Sequence, residues 1–426
     1  MNSLKRLSIA FFIGLLFFSC KTNINLTKPT TGGVNFYNYV AIGNSLTAGY
    51  EDGGLYQEGQ LNSYPNIIAT QLQGLGSAGF YQPLFGPGQE NGSGYLKLTG
   101  FTSAGLPILA NVTTDLAIVG TAVNGVTHQT QYLYAPNTAS KISNLGIPGI
   151  RLSDILTPGY GSPAGNPYFQ RLLSSSEYLK TYQQKVLETN PTFFSCWLGD
   201  NDVLSYATSG GTVPLTPTAT FQALYAQLIT ALMANGAKGV VSTIPDVTLI
   251  PFLNTQTVAK ISAAAGGATV YITTSTGLVR AATSADLVNL TTTGIGVPNG
   301  LGAPKGYSPY NPLLNSEVLD ADEVNSARAA VVQYNNIIGQ IATANGLAIS
   351  DINILLNKYK NGAVTDGIPL NLNYISGGIF SLDGVHLTPR GYAIVANSFI
   401  SSINATYGSS IPTVNIGNYR GVKFPN

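Results

Sequence analysis

The chain has 426 residues, enough for one large domain or two smaller ones, so core burial is no constraint. Its 20 basic residues stand against 19 acidic ones, and this balance gives no electrostatic footprint for nucleic acid. Charged residues are only 9% of the chain, against about 25% in ordinary soluble domains. Glycine (48) and tyrosine (24) take their place, which suggests the neutral polar loops of an exported protein.

The N-terminus agrees. Lys5 and Arg6 precede an apolar run from Leu7 to Phe18 that ends at Ser19-Cys20. This is the pattern of a signal peptide and is short for a membrane span. Residues 1–20 are read so, and Cys20 resembles the acylated cysteine of a bacterial lipobox. Phe17-Phe18-Ser19 fits that box loosely, because leucine is usual three places before the cysteine, and plain secretion is the other reading. Residues 21–35, rich in Thr, Asn, Pro and Gly, read as a flexible tether. The expected location is the bacterial envelope, with a lipid anchor in the outer membrane. After cleavage Cys196 would be the lone thiol of the chain's two cysteines, so no intrachain disulfide is expected.

An apolar run from Tyr39 to Ile42 reads as a buried strand. It breaks at Gly43 into a turn carrying Ser45, at the carboxyl end of a strand, where open α/β sheets place their ligand crevice. The alternative is that Ser45 only caps a helix. Residues 65–72 have helical spacing, with Pro65 at a tolerated place near the start. Over 74–138 the helical period disappears and Gly, Pro, Tyr and Thr dominate, while Tyr95 to Thr99 alternate as a half-buried strand would. This stretch is expected to be an insertion, partly β, over the crevice, and His128 within it reads as a structural or surface histidine. From Lys141 a short strand runs to glycines around Pro148, where a backbone N–H can approach a ligand without a side chain in the way. A plain turn is the alternative.

A helix is expected over 175–188, then a buried strand from Thr192 to Leu198 ending in Gly199-Asp200-Asn201-Asp202. Cys196 in that strand reads as a small core residue. Asn201 either aims its amide into the crevice or caps the next helix. A helix over 221–233 leads to a strand over 238–244, stopped by Pro245-Asp246. Nothing ties Asp246 to catalysis. Residues 252–318 form a second insertion, low in charge. A long amphipathic helix over 320–344 precedes a strand over 347–349, and a last helix spans 389–406. Strand and helix alternate five times, which argues for a parallel sheet covered on both faces.

The chain has only two histidines, His128 and His386. A serine hydroxyl is a weak nucleophile until a base takes its proton, and histidine is the usual base. Ser381-Leu382-Asp383-Gly384-Val385-His386 puts an aspartate three places before one of them. Asp383 there can orient the imidazole and stabilise its cation; the bland alternative is a polar loop before the last helix. Two separated histidines without a carboxylate cluster make a poor metal site, and neither metal nor cofactor is expected.

Four stretches in this order resemble the blocks of the GDSL or SGNH hydrolases, over about residues 36–405. Gly43-Asn44-Ser45-Leu46 matches the nucleophile block and Gly199-Asp200-Asn201-Asp202 the Gly-x-Asn-Asp block. Gly149 matches the oxyanion glycine, with Gly146 a substitute, and Asp383-Gly384-Val385-His386 the final Asp-x-x-His. The resemblance implies a three-layer α/β/α fold with a five-stranded parallel sheet. It places one domain over 36–410, with insertions at about 74–138 and 252–318 and a tail over 411–426. It implies Ser45, Asp383 and His386 as the catalytic residues. The N–H groups of Ser45 and Gly149 and the Asn201 amide would form the oxyanion hole. Asn44 departs from the family, which has aspartate before the nucleophile. Asn keeps the size and loses the charge, so only a changed hydrogen-bond network is expected. The implied partner is an ester substrate (lipid, aryl or acylated glycan), and the implied activity that of a lipase or carboxylesterase. An acetyl esterase of polysaccharide or peptidoglycan, or a catalytically silent glycan- or partner-binding lipoprotein, are the other readings.

Overall fold

The structure, a computed structural model, describes residues 28–103 and 105–425. The expected signal peptide, Cys20 and the first part of the tether lie outside the described residues.

Five strands form the central sheet: β1 (Tyr39–Gly43), β2 (Asn144–Gly146), β3 (Phe193–Trp197), β4 (Lys238–Ser242) and β5 (Ala348–Ser350). Their order is β5-β4-β3-β1-β2, and every pairing is parallel. β1 and β3 are buried at every position. A parallel strand covered on both faces has no wet side, hence the nearly unbroken apolar runs. The one polar residue in β3, Ser195, is satisfied by the Tyr39 hydroxyl at 2.8 Å.

The helices that matter for the site and the layers are α1 (Ser45–Ala48), α2 (Tyr64–Leu72), α3 (Asn201–Thr208), α4 (Thr218–Met233), α5 (Ala321–Ala344) and α6 (Pro389–Tyr407). α5 packs on α4 and on β4 and β5; α6 covers the same two strands with α2 beside it. The result is the three-layer α/β/α arrangement with a five-stranded parallel sheet. Local signals set the helix starts. Asp320 caps α5 by accepting from the Asp322 and Glu323 N–H groups, and Glu323 returns a bond to the Asp320 N–H. Thr388 caps α6 through the Gly391 N–H, with Pro389 in the first helical position.

Three expectations change. The helix expected over 175–188 is an α-helix only over Tyr182–Leu187, because Thr181 and Gln184 cap a fresh start there. The tether is held down from Thr30 onward: Thr30 donates to Ser410 Oγ, Gly33 donates to the Tyr407 carbonyl, and Val34 is buried. The stretch 411–425 is not a free tail either. Ile411 and Ile416 are buried, and Arg420 pairs with Glu51 and Glu58 at 2.8 and 2.7 Å. Apolar residues and one cation facing a buried carboxylate are enough to dock it.

The 74–138 segment contains two hairpins, Tyr95–Phe101 with Pro107–Val112 and Ile118–Val123 with Thr130–Tyr134. The 252–318 segment has a small core of its own around Ile272, Val288 and Leu313.

Candidate active site

β1 ends at Gly43, where a Cβ would stand 2.5 Å from the Trp197 carbonyl oxygen, so only glycine allows this turn. Asn44 then caps α1, its Oδ1 accepting from the Leu46 N–H at 2.9 Å. Capping is therefore not the task of Ser45, whose Oγ lies 2.8 Å from His386 Nε2. On the far side of the ring, His386 Nδ1 is 2.7 Å from Asp383 Oδ2. The structure thus brings Ser45, His386 and Asp383 into one hydrogen-bonded line, across 341 positions of sequence between Ser45 and His386.

Asp383 is held as firmly as it holds. Its Oδ1 accepts the Val385 and His386 N–H groups, both at 2.8 Å, and its Oδ2 accepts the Gly53 N–H at 2.9 Å. Burial pushes this carboxyl up, but the His386 ring and the two backbone donors of its own turn outweigh that. They hold it well below the usual carboxylate range. With Asp383 ionised, the proton on His386 sits at Nδ1, and Nε2 is left to accept from Ser45.

Ser45 is the first residue of α1, so its N–H has no partner inside the helix. Asn201 opens α3; its Nδ2 gives one hydrogen to the Ile150 carbonyl at 2.8 Å and keeps a second free. It does not act as a helix cap. Asn201, Ser45 and His386 line one small cavity of about 40 Å³. Gly149 is exposed with φ +83°, and its N–H meets no protein acceptor among the described residues. Gly146 is different. Asn144 Oδ1 takes its N–H at 2.9 Å, and a Cβ there would lie 2.2 Å from the Ala48 nitrogen. Its role is close packing of β2 on α1, so it is no substitute for Gly149. His128 stands apart on an exposed hairpin turn with φ +56°.

The family model for GDSL-like Lipase/Acylhydrolase matches residues 39–399. The chain belongs to this family. As a GDSL-like acylhydrolase it is an ester-hydrolysing enzyme. Among solved structures it is similar to LAE5, an alpha/beta hydrolase enzyme from the metagenome of Lake Arreo, Spain, at 12% identity and TM-score 0.38 over 88% of this chain and 97% of that one. It is also similar to a mutant of Axe2, an acetyl-xylooligosaccharide esterase from Geobacillus Stearmophilus, at 13% identity and TM-score 0.37 over 87% and 96%. No curated protein matches the chain.

Within this GDSL-like site, three aspartates do work that the sequence did not disclose. Asp200 is buried and accepts from Asn44 Nδ2 and from the indole of Trp197, both at 2.9 Å. Burial pushes its carboxyl up to about 7, against the lowering pull of those two donors. The departure at Asn44 now has a reason: an aspartate there would face another carboxylate, whereas the amide donates to it. Asp202 is equally buried and accepts from Leu152 N–H at 2.6 Å and Ser153 N–H at 3.3 Å, fixing the loop that carries Gly149. Asp52 has φ +53° and accepts the Leu382 N–H at 2.9 Å, tying the end of the Ser45 turn to the His386 loop. A signal for Asp52 was present, since Asp52-Gly53-Gly54 is a turn sequence just after the serine. For Asp200 no signal existed, because its partners come from two different strand ends.

Proposed function

We propose that the chain is a carboxylesterase working through an acyl-enzyme on Ser45. The observation that supports this is the line Ser45 Oγ–His386 Nε2, His386 Nδ1–Asp383 Oδ2, at 2.8 and 2.7 Å. His386 takes the hydroxyl proton as Ser45 Oγ bonds to the ester carbon, and ionised Asp383 stabilises the imidazolium. The carbonyl oxygen gains charge and is met by the N–H groups of Ser45 and Gly149 and the free hydrogen of Asn201. Such a donor lowers the barrier by roughly 3–4 kcal/mol in known cases. Collapse breaks the bond to the alcohol, which leaves with the proton from His386. Water then gives a proton to His386 and attacks the acyl carbon. The acid departs and Ser45 recovers its hydrogen.

The test is turnover of p-nitrophenyl acetate with labelling by a fluorophosphonate. The native protein is expected to hydrolyse the ester and to carry the label on Ser45, and Ser45→Ala to do neither. A folded native protein that does neither would instead support the silent binding reading.

Export and acylation at Cys20 belong to the same proposal, supported by the charged and apolar pattern of residues 1–20. No helix among the described residues is long and apolar enough to cross a membrane. Incorporation of labelled palmitate, lost in Cys20→Ser, would identify the anchor; equal incorporation by both would count against it.

A further inference from the structure

Resting on the esterase reading, the two cavities around His386 bear on which ester is cleaved. When the tetrahedral intermediate collapses, the proton on His386 Nε2 must reach the leaving oxygen. The alcohol therefore lies over the His386 face, while the acyl group stays with Ser45 on the Asn201 side. The two sides differ in size and in chemistry.

The cavity that touches both Ser45 and Asn201 has about 40 Å³. That is room for a short acyl group and far less than the roughly 300–1,000 Å³ of a pocket for a larger ligand. The cleft on the other side has about 500 Å³ and touches His386 and Asp383 but neither Ser45 nor Asn201. That is the size of a ligand pocket. Its outer walls are Leu96 and Leu109 from the first insertion and Phe252 and Leu290 from the second.

Apart from the exposed Thr291, the polar side chains of this cleft are already engaged. The Tyr50 hydroxyl donates to the Gly53 carbonyl at 2.7 Å, and Tyr374 donates to the Leu382 carbonyl at 2.5 Å. Asp383 is filled by His386 and backbone donors. A sugar placed here would find few partners for its hydroxyls, whereas an apolar ring would meet Leu96, Leu109, Phe252 and Leu290.

The walls are fastened to the His386 loop. Phe252 N–H donates to the Gly384 carbonyl at 2.9 Å, Leu290 N–H to the Phe252 carbonyl at 2.7 Å, and Leu96 N–H to the Asp52 carbonyl at 2.7 Å. The cleft is thus preformed. We infer that the enzyme cleaves short-chain acyl esters of apolar, aryl-sized alcohols, with the alcohol seated between the two insertions.

The test compares naphthyl acetate with phenyl acetate, whose phenols leave with nearly equal ease, so the ratio of their kcat/KM values reads the cleft alone. The native enzyme is expected to favour the naphthyl ester by about tenfold, the scale on which an apolar pocket reads an added group. Leu109→Asn and Leu290→Asn should each bring that ratio towards one, with an unchanged circular dichroism spectrum as the check on folding. Lengthening the acyl group of the phenyl ester to octanoyl should lower kcat/KM. A native ratio near one overturns the inference whatever the variants do, as does a preference for the octanoyl ester or for an acetylated xylooligosaccharide. If no ester is hydrolysed and Ser45 resists the fluorophosphonate, the esterase reading itself fails, a separate outcome.

Discussion

The two sides of Ser45 are made of different parts of the chain. On one side, Ser45, Gly149 and Asn201 stand two, three and four residues past the ends of β1, β2 and β3. They are fixed by neighbours in sequence and by strand register. On the other side, the wall beside His386 is assembled from insertions that reach it through single backbone bonds, such as Phe252 to Gly384. The contrast teaches a division of labour. Groups that must meet charge are placed by the rigid sheet, where donors need no reorganisation, and groups that choose the alcohol are placed by loops.

Substitutions can break or sharpen that division. The largest effect is expected from Asp383→Asn, which keeps the acceptor for the Val385 and His386 N–H groups but removes the charge facing His386. A loss of kcat of about 10⁴-fold is expected at neutral pH, measured on p-nitrophenyl acetate with the circular dichroism spectrum unchanged. Asn201→Ala should cost about 10²–10³-fold in kcat with KM little altered. A rise in KM at constant kcat would move Asn201 into the substrate-binding wall and blur the comparison.

Smaller effects test what lies beneath the sheet side. Asn44→Asp would set a second carboxylate against Asp200, across what is now a 2.9 Å hydrogen bond. A lower Tm is expected, with a loss of about 1–3 kcal/mol. The double variant Asn44→Asp with Asp200→Asn should recover much of it, because it restores one carboxylate and one amide. Additive losses in this cycle would show that the two residues do not interact.

The contribution of Asp200 itself depends on pH. Its carboxyl, pushed up to about 7 by burial, holds a proton in the folded chain at pH values where the unfolded chain has lost it. The sign follows: its contribution to stability falls as pH rises from about 4 to about 7, by at most about 1.4 kcal/mol per pH unit, and is level above. Trp197, the chain's one tryptophan, bonds to Asp200 at 2.9 Å and reports on it. Its fluorescence should titrate near pH 7 in the native protein and stay flat in Asp200→Asn. The same titration in both would assign the signal to another group.

The same division explains what the sequence discloses. Buried parallel strands read directly from unbroken apolar runs, as in Tyr39 to Ile42. Ser45, Asn201, Asp383 and His386 stood out because turns at strand ends and a scarcity of histidine mark them. Asp200 did not, because its partner Asn44, 156 positions away, is brought near only by the fold; Asp52 showed only as part of a turn, since the Leu382 N–H it accepts is 330 positions away. The docking of Arg420 on Glu51 was hidden for the same reason: 369 positions separate them. The walls of the cleft were the least legible, since Leu109 and Leu290 are ordinary apolar residues until the insertions meet over His386.

The central claim, that Ser45 carries the acyl group, is tested most directly by quenching p-nitrophenyl acetate turnover within the first cycle and locating the acetyl group by mass spectrometry of peptides. An acetyl group on Ser45 in the native protein, absent when Asp383→Asn or Ser45→Ala is treated in the same way, is the predicted result. Full-rate hydrolysis by Ser45→Ala, or an acetyl group held on another residue instead, would contradict it.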